Sequence, residues 1–114
     1  MWTIKFSPEA EEAISKLDHS LVVQVLAEIK KVSSNPLPHP NGYGKPLGNK
    51  AGNNLTGFFK IKYGRIDIHV VYSLVLNKQI MNILIVSNGN DDECYKLAGT
   101  LYKKYGSSVF DDIF

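Results

Sequence analysis

Three consecutive apolar runs in the second half of the chain limit its fold more than any other feature. They span about Leu55 to Tyr63, Ile66 to Leu76 and Gln79 to Asn88, and Gly64-Arg65 and Asn77-Lys78 separate them. Runs of this length, rich in β-branched and aromatic residues and joined by short turns, are typical of antiparallel strands. We therefore predict a three-stranded antiparallel meander at the centre of the fold.

The remaining residues predict one further strand and three helices. Trp2 to Phe6 alternates as a short strand does, and Ser7-Pro8 supplies a helix cap followed by proline at the first helical position. A second helix, capped by Asp18, keeps helical apolar spacing until Asn35-Pro36 stops it. The last helix is predicted from Asp91 to Tyr105, with acids at its start and lysines at its end.

The element order βααβββα places the chain in the α+β class. We expect an antiparallel sheet of about four strands, with two helices packed on one face and a C-terminal helix. The length of 114 residues suits a single domain, which we assign to residues 1–106, with 107–114 as a loosely held C-terminal tail. The segment rich in proline and glycine, residues 36–52, is expected to be irregular and too long for a simple connection.

Cysteine content and hydropathy indicate the compartment. The single Cys94 excludes an internal disulfide and a cysteine-only metal cage, which suits a reducing environment. The first residues lack the apolar region of a signal peptide, and no run approaches the ~18 apolar residues of a membrane span. We expect a cytoplasmic protein that does not contact a membrane.

A two-residue turn at Gly64-Arg65 predicts a definite strand register. Phe59 would then face Val70, and Lys60 would face His69. The same reasoning at the second turn places Tyr72 opposite Ile83 and His69 opposite Val86. One face of the sheet is then apolar and lies on the two helices, whereas Lys60, Lys62 and His69 share the outward face.

The charge pattern indicates an anionic partner for that outward face. From Ile29 to Ile66 the chain has no acid and seven cations, which are Lys30, Lys31, Lys45, Lys50, Lys60, Lys62 and Arg65. Such a stretch suits a polyanion, since the net charge of +2 is too small to attract one by itself. The alternative is a solvated strand whose lysines discourage pairing at the sheet edge.

Lysines beside a histidine are suited to RNA cleavage without a metal. The 2′-hydroxyl of RNA attacks the adjacent phosphate, and the enzyme must accept a proton, stabilise negative charge and protonate the leaving oxygen. Two adjacent lysines lower each other's pKa, so one of them is a candidate base, and histidine titrates near neutral pH. Because no HxxxH or Cys/His spacing is present, we predict no metal site and no cofactor.

Four motifs in this order resemble the RelE/ParE superfamily of type II toxin–antitoxin toxins. They are Lys45-Pro46-Leu47, Phe59-Lys60-Ile61-Lys62, His69-Val70-Val71-Tyr72 and Asp91-Asp92-Glu93-Cys94-Tyr95-Lys96-Leu97-Ala98. The resemblance covers about Trp2 to Tyr105, and the Lys-x-Lys strand is more similar to the RelE branch than to the ParE branch. It implies a ribosome-dependent endoribonuclease that cuts mRNA and is silenced by an antitoxin partner.

The resemblance also implies roles for individual residues. Lys60 and Lys62 match the family's paired basic residues, and Tyr95 matches the tyrosine of the last helix that orients mRNA. Where the family usually has arginine, this chain has His69, a plausible acid or base, and Gly89, which supplies no charge.

Arg65 and Lys45 are therefore expected to bind phosphates of mRNA or ribosomal RNA. The alternatives are a ParE-like inhibitor of DNA gyrase that is not a nuclease, and a catalytically silent member that only binds an antitoxin.

Overall fold

In the computed structural model, a β-sheet lies between two helical layers. The structure describes residues 1–50, 52–63 and 68–114, with residues 62 and 63 described by their backbone alone. The elements are β1 (Thr3–Phe6), α1 (Pro8–Ser15), α2 (His19–Ser33), β2 (Lys45–Lys50), β3 (Asn53–Tyr63), β4 (Ile68–Val75), β5 (Ile80–Ser87) and α3 (Asp91–Tyr105). Short 3-10 helices follow β4 (Leu76–Lys78) and α3 (Gly106–Phe110).

The predicted α+β class is confirmed, with two differences in the sheet. Five strands lie in the order β1-β5-β4-β3-β2, and β1 pairs with β5 in parallel, so the sheet is mixed. The extra strand is β2, which lies in the segment expected to be irregular. Its proline and glycine lower strand propensity, but an outermost strand tolerates Pro46, and the buried Leu47 anchors it.

The predicted cap of α1 is confirmed, whereas the start of α2 lacks its predicted capping hydrogen bond and α3 is capped by Asn90. Ser7 caps α1, and its Oγ accepts a hydrogen bond of 3.0 Å from the backbone N–H of Ala10. Helix α2 begins after Asp18, which makes no side-chain capping hydrogen bond. Asn90 caps α3 through a 2.8 Å hydrogen bond from the Glu93 N–H to its Oδ1. The Asn90 cap fixes the residue at which α3 begins, and therefore determines which side chains of α3 face the sheet.

The predicted register of β3 and β4 is wrong by two residues. Ile61 pairs with Val70, and Lys62 pairs with His69, so Lys60 lies opposite Val71. The predicted turn at Gly64-Arg65 lies outside the described residues. Because side chains alternate with a period of two, a two-residue shift preserves the faces. The prediction that Lys60 and His69 share one face is therefore confirmed, whereas the Lys62 side chain lies outside the described part of the chain.

The pairing of β4 with β5 agrees with the prediction only on one side of a bulge. Tyr72 lies opposite Ile83, as expected. His69 lies opposite Ser87 rather than Val86, because the register shifts between Val71 and Tyr72. A β-bulge inserts one residue into a strand and displaces every pair beyond it.

The face that carries Lys60 and His69 is covered rather than outward. Helices α1 and α2 pack on the other face, whereas α3 packs on this one through Cys94, Ala98 and Leu101. Both β4 and β5 are buried along their whole length. Their nearly continuous apolar runs are typical of strands covered on both faces. The expectations of an outward cationic face and of a solvated strand are both wrong at these two positions.

The C-terminal residues are packed, which corrects the expectation of a loose tail. Val109 is fully buried, and its carbonyl oxygen accepts hydrogen bonds from Ser73 Oγ and Asn82 Nδ2. Asn82 Nδ2 also donates to the carbonyl oxygen of Asp111, at 3.0 Å. The signal was present in Ser73 and Asn82, because polar side chains inside apolar strands need partners.

Replacing Val109 by aspartate is expected to lower the free energy of unfolding by about 3 to 5 kcal/mol, because it places an unpaired charge in the core. The matched control is Ile113→Asp, at a position that is 45% exposed, for which a change within about 0.5 kcal/mol is expected. Urea unfolding measures both. Equal effects of the two substitutions would show that the tail does not pack as described.

Candidate active site beneath helix α3

Lys60 projects from β3 into a polar cluster beneath the start of α3. Its Nζ donates hydrogen bonds to Tyr95 Oη, at 2.9 Å, and to Asp91 Oδ1, at 3.2 Å. The ammonium also lies 5.1 Å from the centroid of the Tyr95 ring, within cation–π range. Only 5% of the Lys60 side chain is exposed. A buried ammonium requires such partners, because an unpaired charge in the interior is costly.

Asp91 joins Lys60 to His69. Its Oδ1 lies 3.4 Å from His69 Nδ1 and 3.2 Å from Lys60 Nζ, so one carboxylate oxygen contacts both groups. The His69 side chain is 3% exposed, whereas that of Asp91 is 50% exposed. Asp91 is therefore the most exposed member of the cluster.

The protonation of Lys60 differs from the sequence-based expectation. Burial opposes its charge, but hydrogen bonds to Tyr95 and Asp91 outweigh burial and raise the pKa of the Lys60 ammonium above its ordinary value. The prediction that a neighbouring lysine would make it a base near neutral pH is wrong for Lys60. It is a permanent cation at physiological pH, suited to neutralising phosphate charge.

The thiol of Cys94 lies close to the cluster but is not a nucleophile. Cys94 is fully buried, and burial raises its pKa to about 11, although Lys60 partly opposes that shift. A thiol with such a pKa is neutral at physiological pH, and only the thiolate attacks. Among the residues that the structure describes, no group of three or more histidine, cysteine or carboxylate side chains could hold a metal ion.

The structure brings three of the six predicted site residues into one cluster. Lys60 contacts Tyr95 directly and reaches His69 through Asp91. Lys45 is exposed on β2 and pairs with Lys60 across the ladder. The Lys62 backbone pairs with His69, but its side chain lies outside the described part of the chain, as does Arg65.

Gly89 lies in the connection between β5 and α3. A Cβ at this position would meet the carboxylate of Glu93. The obstacle is the end of a flexible side chain, so a larger residue needs only a movement of Glu93. Where the resemblance implies an arginine, this chain therefore has an acid occupying the adjacent space.

Asp91 is the site residue that sequence reasoning missed. Its acidity was assigned to the helix dipole, although the helix spacing held a second signal. Asp91 lies four residues before Tyr95, so the two side chains occupy one face of α3. That face continues through Ala98, which is fully buried. An acid at the start of a buried stripe is positioned to meet a cation on the sheet.

Comparison with solved structures identifies the fold class. The isolated E. coli RelE toxin matches with a TM-score of 0.64 and 19% sequence identity, over 86% of this chain and 95% of that chain. A RelBE toxin–antitoxin complex from Mycobacterium tuberculosis matches with a TM-score of 0.62 and 24% identity, over 75% and 95% of the two chains. An archaeal RelE–RelB complex from Pyrococcus horikoshii matches with a TM-score of 0.55 and 17% identity, over 75% and 92%.

These alignments show that the chain has the fold of the RelE toxins, as the motif resemblance implied. No protein-family model matches the sequence, and no curated protein is significantly similar to it. In the part of the chain that the structure describes, no helix is long and apolar enough to cross a membrane.

Proposed function

We propose that the protein is the toxin of a type II toxin–antitoxin system and cleaves mRNA on the ribosome without a metal ion. The observation that carries this proposal is the cluster of Lys60, Asp91, His69 and Tyr95 on a RelE fold. It combines a permanent cation, a histidine beside a carboxylate, and a phenol within hydrogen-bonding distance of the cation. These groups match the requirements of attack by a 2′-hydroxyl.

Each group has one role in the proposed reaction. His69 accepts the proton of the 2′-hydroxyl, and Asp91 orients the imidazole and stabilises its charge, as carboxylates beside catalytic histidines do. The 2′-oxygen bonds to phosphorus while the bond from phosphorus to the 5′-oxygen breaks. Lys60 stabilises the charge on the phosphate oxygens. Tyr95 Oη accepts a hydrogen bond from Lys60 and donates its own proton to the leaving 5′-oxygen.

Access to the site requires a rearrangement at Asp91. Because Lys60 and His69 are almost fully buried, a phosphate reaches them from the exposed side of the Asp91 carboxylate. The phosphate takes the place of that carboxylate on Lys60, while Asp91 stays beside His69. Lys45, one strand away, and Arg65 and Lys62 are proposed to bind neighbouring phosphates.

The partners follow from the same proposal. Two of the three similar structures described above contain a RelE-type toxin together with its antitoxin. We infer that this chain also has a cognate antitoxin, acts in the cytoplasm, and takes ribosome-bound mRNA as its substrate. No small-molecule cofactor has a part in this scheme.

Induction of the wild-type chain in cells, followed by mapping of mRNA 5′ ends, tests the proposal. Cleavage within translated codons is expected for the wild type. Growth arrest with intact mRNA and broken DNA would identify gyrase as the target instead. Induction that neither slows growth nor cuts mRNA would show a catalytically silent protein that only binds its antitoxin.

A further inference from the structure

The proline-rich connection between α2 and β2 is held by many hydrogen bonds. His39 N–H donates to the Gly44 carbonyl oxygen at 2.7 Å, and Gly44 N–H donates to that of Leu37 at 3.0 Å. The Asn35 side chain donates to the Asn41 carbonyl oxygen at 2.8 Å, and Asn35 also accepts from the N–H of Tyr43. The connection is therefore an ordered platform rather than a loose linker.

Close packing fixes the platform to the sheet. The Tyr72 hydroxyl, fully buried in β4, donates to the Pro36 carbonyl oxygen at 2.8 Å. A Cβ on Gly44 would lie 2.6 Å from that hydroxyl, and a Cβ on Gly42 would meet the Leu37 carbonyl oxygen. Both glycines are needed because the backbone approaches its neighbours too closely for a side chain. Residues between them are thereby held in defined positions.

The platform presents an aromatic ring beside a cleft. His39, Tyr43, Lys45 and Pro46 line a cleft of about 370 Å³, which lies within the range of roughly 300 to 1,000 Å³ for small-ligand sites. Tyr43 is 51% exposed. Lys31 of α2 holds its Nζ 5.6 Å from the centroid of the Tyr43 ring. A large aromatic side chain left half in solvent on an ordered backbone is available for stacking.

The charges around the cleft favour a nucleic acid. Its lining contains no acid, and the sequence around it from Ile29 to Ile66 contains none either. Lys45 pairs directly with Lys60 in the β2–β3 ladder, and paired residues lie about 4.5 to 5.5 Å apart. Lys45 therefore places the cleft one strand from Lys60, at the β2 edge of the sheet.

We propose that Tyr43 is a stacking platform for one unpaired RNA base, with Lys45 and Lys31 on the adjoining phosphates. The inference rests on the proposed function and adds a base-binding subsite to it. Bases stack on tyrosine with little regard to sequence, so the subsite positions the strand without selecting a codon.

The test uses a short single-stranded oligonucleotide with 2′-O-methyl groups, which the wild-type site can bind but not cleave. Tyr43→Ala is expected to weaken binding by about 5- to 150-fold, the range for loss of one stacked base. Tyr43→Phe keeps the ring and is expected to bind like the wild type, whereas Tyr43→Leu keeps apolar area without the ring and is expected to bind like Tyr43→Ala. Lys31→Gln is expected to reduce the slope of log K against log[salt] by about 0.7.

An abasic nucleotide moved along the oligonucleotide locates the stacked base. One abasic position is expected to weaken the wild type and to leave Tyr43→Ala unchanged. Equal binding of RNA by the wild type and Tyr43→Ala overturns the inference. So does a loss confined to antitoxin binding, which would make the cleft a protein-docking surface.

The cleavage reaction separates this inference from the proposed function. If the wild type and Tyr43→Ala cut ribosome-bound mRNA equally while Lys60→Met does not, the base subsite is wrong and the nuclease stands. If the wild type cuts no mRNA but Tyr43→Ala still weakens RNA binding, the nuclease is wrong and the subsite stands. Urea midpoints check that every Tyr43 variant is folded.

Discussion

Replacement of His69 by glutamine is expected to slow mRNA cleavage by about 10²- to 10⁴-fold, the usual loss on removal of a general acid or base. Glutamine can fill much of the same buried space and can hydrogen bond to Asp91, but it cannot accept the proton of the 2′-hydroxyl. The measurement is the rate of cleavage of ribosome-bound mRNA at saturating toxin.

The matched control is His19→Gln, because His19 is exposed at the start of α2. It is expected to cleave at the wild-type rate. Binding of the antitoxin reports folding, and His69→Gln is expected to retain it. Cleavage by folded His69→Gln at the wild-type rate would remove His69 from the mechanism.

Replacement of Lys60 by methionine is expected to reduce cleavage by about 10²- to 10³-fold, as loss of one transition-state donor does. Methionine has a similar length, so the effect reports the missing charge more than missing volume. RNA binding is expected to weaken as well. Lys60 is already charged in the free protein, so its attraction for phosphate contributes to binding and is lost in the variant.

The control for this variant is Lys50→Met, since Lys50 is exposed on the outermost strand β2.

The raised pKa of Lys60 adds a pH test. Its ammonium stays charged to above pH 10.5, the ordinary value, so its contribution to stability is present at neutral pH and is lost only as the pH rises through the raised pKa. A loss of wild-type RNA affinity between pH 7 and 9 that is absent in Lys60→Met would contradict a permanently charged Lys60.

Helices were predictable from the sequence because their signals are local. Ser7-Pro8 and the acids before Cys94 mark helix starts through caps and dipole charges, and no distant residue is needed to interpret them. β2 escaped prediction for the opposite reason. Its residues have poor strand propensity, and it forms because Leu47 joins a buried apolar cluster and because its backbone pairs with β3, which are tertiary effects.

Part of the candidate site could be predicted from the sequence, but the burial of its residues could not. Strand alternation placed Lys60 and His69 on one face even though the predicted register was displaced. Burial of that face by α3 was not inferred, although the continuous apolar runs of β4 and β5 favoured it. Asp91 was missed because a charge at a helix start satisfies a local explanation, whereas its contacts with Lys60 and His69 are long-range.

The chemical ends of cleaved mRNA test the central claim most directly. In the induction experiment, fragments from the wild type are expected to carry a 2′,3′-cyclic phosphate or its hydrolysis product on one side of the cut and a 5′-hydroxyl on the other, because the 2′-oxygen attacks the phosphorus. Lys60→Met and His69→Gln are expected to yield few such fragments. Fragments with a 3′-hydroxyl and a 5′-phosphate, or uncut mRNA in growth-arrested cells, would contradict the proposed mechanism.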